Sequence, residues 1–210
     1  MNRREFVKTS LISAVTATAL STTADTSYAQ RRKKMNILVI TGSPRKNGNS
    51  NTLATNFIQG AKEAGHTVHR FDAGLSKVHP CTACNSCNMD GPCIFDDDFN
   101  FVREHIITAD LVALASPMYY FGFSAQLKSV IDRFYAINGQ IHVRKKAVLM
   151  VTYADHSDKK ERPIRTHYDM LLDYLGWENA GIIIAPGMWP IGAINNSPFP
   201  KQAYELGKKL

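Results

Sequence analysis

Five short apolar runs punctuate this chain, at 36–40, 67–72, 110–116, 147–152 and 181–185, and each is followed by a stretch of helical period. Runs of this length, rich in Ile, Val and Leu, suit strands buried on both faces of a parallel sheet. Behind the first run, Leu53, Ala54, Phe57, Ile58 and Ala61 fall on one face of a helix. Similar patterns occupy 101–107, 124–134, 167–175 and 200–210, the second with Leu127, Val130, Ile131 and Phe134 inward. Strands alternating with helices require right-handed crossovers. The chain therefore predicts an α/β fold: a doubly wound, five-stranded parallel sheet with helices on both faces, built as one domain over 36–210.

A sheet wound in this way binds ligands beyond the carboxyl ends of its first and third strands, where the winding direction reverses. The first such loop carries Ser43, Arg45, Asn49, Ser50, Asn51 and Thr52, and runs into the helix with Asn49 or Ser50 as the expected N-cap. Hydroxyls, amides and a guanidinium converge there on a helix N-terminus, whose free N–H groups and positive dipole end favour an anion. No acidic residue is present to hold a metal, so a phosphate monoester fits best. The nucleotide-triphosphate loop is excluded, because Gly48-Asn49-Ser50 has no lysine in place. The dinucleotide fingerprint is excluded as well, since only Gly42 and Gly48 are present. The competing reading is a solvated turn with no ligand.

The second loop, Pro117-Met118-Tyr119-Tyr120-Phe121-Gly122-Phe123, is too aromatic for an ordinary surface connection. Rings and exposed amides suit a flat heteroaromatic ligand, although the same residues would also serve a core or a subunit interface. A monophosphate site beside a planar aromatic pocket describes FMN better than other common cofactors.

The formal charge of +7 is misleading until it is located. Residues 35–210 carry 18 Lys and Arg against 16 Asp and Glu, so the body is close to neutral. The excess sits in a basic tail over 30–35 and in a leader over 1–29. That leader has Arg3-Arg4 followed by Phe6, an Ala/Thr-rich apolar run, and Ser27-Tyr28-Ala29 as a small-x-small cleavage site. It reads as a twin-arginine signal peptide, against the alternative of a disordered basic terminus. The expectation is a periplasmic or secreted protein without a membrane span after cleavage. No basic helix interleaved with aromatics suggests nucleic-acid binding.

All four cysteines fall in one loop, Cys81-x2-Cys84-x2-Cys87-x5-Cys93. The spacing lies near that of ferredoxins, with the last gap widened, and suits a [4Fe–4S] cluster. Reduced thiols without a cluster, two disulfides and a zinc site are the alternatives, and Cys81 alone is a weaker candidate for a redox thiol. Cysteines three apart close small, strained rings, which weighs against disulfides.

Gly42-Ser43-Pro44-Arg45 with Asn49 to Thr52, Ser116-Pro117-Met118-Tyr119, and Leu127-Lys128 with Asp132-Arg133 resemble the NADPH-dependent FMN reductases among flavodoxin-like proteins. The cysteine loop is similar to that of the iron–sulfur flavoproteins. The resemblance implies strand order 2-1-3-4-5, bound FMN and a homodimer or homotetramer. It implies that Ser43, Arg45, Asn49, Ser50, Asn51 and Thr52 hold the phosphate and ribityl chain. Pro117, Met118, Tyr119, Tyr120, Phe121 and Gly122 would line the ring, with Tyr119 also touching substrate. The third loop, 152–156, lacks the glycine pair common in the group, and His156 reads as a surface histidine.

The expected activity is an oxidoreductase passing electrons through FMN to a quinone, a nitro compound or a redox partner. NAD(P)H is the donor the resemblance implies, but an exported protein meets little of it, so a quinol, a cytochrome or a reduced partner competes for that role. The alternatives are a flavodoxin-type carrier, against which the near-neutral body speaks, and a cysteine-loop module without flavin.

Overall fold

The computed structural model describes residues 33–210; the leader expected at 1–29, and the start of the basic tail, lie outside the described residues. In chain order the elements are β1 (Asn36–Thr41), α1 (Asn49–Glu63), β2 (Thr67–Asp72), α2 (Phe99–Thr108), β3 (Leu111–Tyr119), β4 (Gly122–Phe123), α3 (Ala125–Arg133), α4 (Asn138–Ile141), β5 (Lys146–Thr152), α5 (Arg162–Leu175), β6 (Glu178–Ala185) and α6 (Phe199–Lys209). Five strands run parallel in the order β2-β1-β3-β5-β6, and the two-residue β4 pairs antiparallel with the end of β3. Without that small hairpin the order is the expected 2-1-3-4-5.

The strand alternation explains how two faces are filled at once. In β1, Ile37 and Val39 enter a cluster with Leu53, Phe57 and Ala61 of α1 and Ala203 of α6. Leu38 and Ile40 enter the opposite cluster, with Val102 and Ile106 of α2, Leu127 and Val130 of α3, and Tyr168 and Leu172 of α5. All four β1 side chains are fully buried, which is why this strand reads as a continuous apolar run. Burial of one such side chain is worth about 1.5–3 kcal/mol, so the sheet centre anchors the loops at its carboxyl edge.

Polar groups finish the packing. Lys145 buries its stem and donates from Nζ to the carbonyls of Ile107 (3.0 Å) and Ala109 (2.7 Å), capping the end of α2. Burial lowers its pKa, against the opposing pull of Asp110. Ser124 caps α3 by accepting from Leu127 N (3.3 Å) and donates to Gly42 O (2.8 Å), tying the α3 N-terminus to the end of β1. A Cβ on Gly42 would meet Ser124 Oγ at 2.3 Å, so this close approach needs glycine.

Three expectations need correction. The N-cap of α1 is Gly48, with no side-chain cap bond. Ser50 already lies in the first turn, and the Asn49 amide is engaged elsewhere. Second, α5 begins at Arg162 rather than near 167, with Pro163 in the first turn, where proline's missing N–H costs nothing. Third, the aromatic stretch is a hairpin: β3 continues to Tyr119, and Met118 and Tyr119 pair with Phe123 and Gly122.

Candidate functional site

The carboxyl ends of β1, β3 and β5 open on a cleft of about 260 Å³. Its phosphate-like end is formed by Ser43, Arg45, Gly48, Asn49 and Ser50. The loop shapes itself: Ser43 Oγ accepts from Arg45 N and donates to Arg45 O, both 3.2 Å, while Asn51 Nδ2 donates to Arg45 O (3.0 Å) and Lys46 O (3.3 Å). A Cβ on Gly48 would sit 2.4 Å from Ser43 Oγ and 3.0 Å from Arg45 O, so the turn closes only around glycine.

The first N–H groups of a helix have no intrahelical partner. The earliest bond here runs from Thr52 N to Gly48 O (3.0 Å), the first turn has no acidic side chain, and no side chain caps it. Two buried oxygens in this turn, Ser50 Oγ and Asn51 Oδ1, lack a protein partner. Such orphans cost about 1–3 kcal/mol each, and their chemistry fits FMN: a hydroxyl to donate to a phosphate oxygen, and an amide oxygen to accept from a ribityl hydroxyl. Thr52 turns away and donates from Oγ1 to Gly48 O (3.4 Å).

Asn49 has a different task from the one expected of its side chain. Its Nδ2 donates to Met188 O (3.0 Å) and Pro190 O (2.8 Å), and its Oδ1 accepts from Gly192 N (3.0 Å) and Ile194 N (3.4 Å). Those four bonds exhaust the amide's capacity. They hold the 186–198 connection against the cleft.

The remaining walls come from three connections. Pro117, Met118 and Tyr119 form one side and Thr152, Tyr153 and Ala154 a second, so the third loop does reach the cleft without its glycines. Met188, Trp189 and Ile191 form the last wall, which sequence reasoning missed; a Trp between Gly187 and Pro190 was the available signal. Trp189 is 77 % exposed and Ile191 61 %, an unusual outlay of apolar surface. Tyr153 donates from Oη to Ser157 O (3.1 Å). Burial foremost, then Glu161, Asp158 and Asp155, raise its pKa, so the phenol stays protonated.

Tyr120, Phe121 and Gly122 stand beyond this cleft. Tyr120 (φ 46°) and Phe121 (φ 68°) occupy the left-handed region that favours glycine or asparagine, and Tyr120 is 100 % exposed. They border an adjoining open groove with Tyr153, Asp155 and Lys160, whose ammonium lies 5.7 Å from the Phe121 ring centre.

The cysteine loop lies apart. Cys81, Cys84, Cys87 and Cys93 line one small concavity with Tyr135 and Arg133. All four are free thiols here. Non-glycine residues adopt positive φ at Ala83 (55°), Asn85 (58°), Asn88 (45°) and Met89 (63°). The donor set suits a cluster in number and kind. Among the described residues, however, no three His, Cys, Asp or Glu side chains are drawn together as ligands of a metal ion. A cluster would require this loop to tighten.

Comparison with known proteins completes the description. Residues 35–176 match the NADPH-dependent FMN reductase family. The chain belongs to that family. It is thereby placed among FMN-dependent oxidoreductases. An iron–sulfur flavoprotein of Archaeoglobus fulgidus is 28 % identical over 177 residues, covering 84 % of this chain and 79 % of its own. An iron–sulfur flavoprotein of Methanocaldococcus jannaschii is 32 % identical over 112 residues, 53 % of this chain and 58 % of its own, so that match spans little more than half of either protein. Among solved structures, an NAD(P)H:quinone oxidoreductase from Methanothermobacter marburgensis superposes with a TM-score of 0.68 at 20 % identity, covering 84 % and 96 % of the two chains, and so shares the fold.

Proposed function

We propose that this family member is an exported oxidoreductase that holds FMN in the cleft and passes electrons to a quinone, a nitro compound or a protein partner. The observation that carries the reading is the pair of buried, unpartnered oxygens of Ser50 and Asn51 at the uncapped start of α1, beside a wall of Met118, Tyr119 and Trp189. Bound FMN supplies hydride acceptance and both one- and two-electron transfer.

The chain's own residues bind and orient. The α1 amides, Ser50 and Arg45 neutralise the phosphate dianion, Met118 and Trp189 confine the ring, and Tyr119 contacts substrate at the mouth. Thr152 and the Tyr153–Ala154 backbone complete the ring site. In this reading the four cysteines hold a [4Fe–4S] cluster, which suits output one electron at a time. A dimer or tetramer is the proposed assembly, and the leader outside the described residues supports a periplasmic or secreted location. Among the described residues no helix is long and apolar enough to cross a membrane.

The test is anaerobic. NADPH added to FMN-loaded protein should bleach the visible flavin band, and a benzoquinone should restore it, with NADPH, a proton and quinone giving NADP⁺ and quinol. Bleaching by a quinol or reduced cytochrome but not by NADPH would assign the donor outside the nicotinamides. No bleaching by any of these, in protein that retains FMN, would remove the oxidoreductase reading.

A further inference from the structure

We infer that the open groove beside the cleft seats the electron acceptor, and that Lys160 selects there for aromatic molecules carrying an anionic group. The inference rests on the proposed function and narrows the substrate class of that same site.

The groove measures about 330 Å³, at the lower end of the range for small-molecule sites. Met118, Tyr119, Tyr153 and Ala154 line both the groove and the cleft, so the two concavities share a wall. A ligand in the groove therefore lies against residues of the cleft itself. The rest of the lining is the hairpin tip, Tyr120 and Phe121, and the charged pair Asp155 and Lys160.

Four of these residues bring aromatic rings. Tyr119 and Phe121 are each 47 % exposed, and Tyr120 is wholly so. Tyr120 and Phe121 stand on left-handed backbone, a strained arrangement that persists only where the surrounding structure imposes it and that gathers at ligand sites. Rings displayed in this way give a flat aromatic molecule edge and face contacts.

One cation borders them. Lys160 Nζ lies 5.7 Å from the Phe121 ring centre, a distance at which the ring face attracts the ammonium and keeps it at the groove. Among the described residues Nζ makes no hydrogen bond, and its nearest carboxylate oxygen, Asp155 Oδ2, is 4.0 Å away. Asp155 serves its own turn instead: Oδ1 accepts from Ser157 N at 2.8 Å, and its carbonyl accepts from Gly187 N at 2.9 Å. Glu161, further along the segment, accepts from Arg165 Nε at 3.2 Å and does not line the groove. The three N–H donors of Lys160 are thus left to an incoming acceptor. A carboxylate or sulfonate on the ligand ring supplies one, and a neutral ring does not. A second copy of the chain seated on the groove is the competing occupant, but interface cores are depleted of lysine.

The experiment uses oxidised, FMN-loaded protein and measures binding by calorimetry, without turnover. The probes are para-nitrobenzoate and para-nitrobenzamide, which share size and shape and differ in charge. The wild-type protein should prefer the benzoate by about fivefold, the upper end for a half-exposed ion pair, and the preference should shrink as salt is added. Lys160→Met should abolish the preference while leaving benzamide affinity unchanged, and Lys160→Arg should retain it. Tyr120→Ser should weaken both probes by about threefold through lost ring contact. Equal binding of the two probes, or binding of neither, by protein that keeps its flavin band would overturn the subsite and leave the cleft reading standing. Preference surviving in Lys160→Met would overturn the role of Lys160. Dissociation of an assembly by Tyr120→Ser, seen by sedimentation with probe affinities unchanged, would give the tip to a subunit interface and overturn the subsite as well. Protein that retains no FMN would overturn both readings.

Discussion

Replacing Asn49 by Ala tests whether one side chain holds a whole wall of the cleft. The substitution removes four hydrogen bonds of 2.8–3.4 Å between α1 and the 188–194 segment. At about 0.5–1.5 kcal/mol net for each bond, the segment should lose about 2–6 kcal/mol of local stability. Two anchors remain, Met188 N to Tyr153 O (2.7 Å) and Gly187 N to Asp155 O (2.9 Å), and Ile194 stays buried, so the segment loosens rather than departs. Amide exchange at Gly192 and Ile194 should accelerate by roughly 30- to 20,000-fold, at about 1.4 kcal/mol per tenfold. FMN affinity should fall about tenfold as the Trp189 wall loses its fixed position, a cost of about 1.4 kcal/mol. Asn49→Asp, which keeps the two acceptor bonds and loses the two donor bonds, should fall between. The assay is native-state hydrogen exchange with and without FMN. Unchanged exchange at both amides in Asn49→Ala would refute the clamp.

Other perturbations probe other parts of the site. Gly48→Ala places a methyl 2.4 Å from Ser43 Oγ, so FMN titration should show affinity reduced by tenfold or more, about 1.4 kcal/mol, while the fold persists by circular dichroism. Trp189→Ala should leave the thermal midpoint nearly unchanged, because an exposed side chain contributes within about 0.5 kcal/mol. It should still weaken FMN binding by about 1 kcal/mol of lost ring contact; equal affinity would remove Trp189 from the site. Acid should destabilise the protein. His105 is lowered by burial and by the stacked His69, against Glu104, and His167 by burial and Lys128, against Asp132. The folded state therefore binds fewer protons than the unfolded one, so this stability is complete above the ordinary histidine pKa of about 6.5 and is lost as pH falls through the lowered values. The urea midpoint should drop between pH 7.5 and 5.5, and a rise would contradict the assignment.

Much of this was legible because strand and helix periods are written into the apolar residues. All five strands appear where the branched runs stand, and the loop between β1 and α1 lines the cleft, as its position in the sequence implied. What escaped depended on contacts distant in the chain. Asn49 looked like a ligand residue because its partners lie about 140 positions away. The 188–191 wall carries no periodic signal. The Tyr120–Phe121 turn adopts angles that its residue types disfavour, so composition suggested a loop lining the ring rather than a hairpin tip beyond the cleft. Arg133 read as one member of a family motif; its burial beneath the cysteine loop appears only in three dimensions.

The central claim is that the uncapped α1 N-terminus, Ser50 and Arg45 grip a phosphate that belongs to a flavin. Parallel titrations of the apoprotein with FMN and with riboflavin, read by flavin fluorescence, isolate that grip. Two or more charge-assisted bonds should favour FMN by at least about 100-fold, near 2.7 kcal/mol. Equal affinity for the two ligands, or binding of neither, would contradict the account.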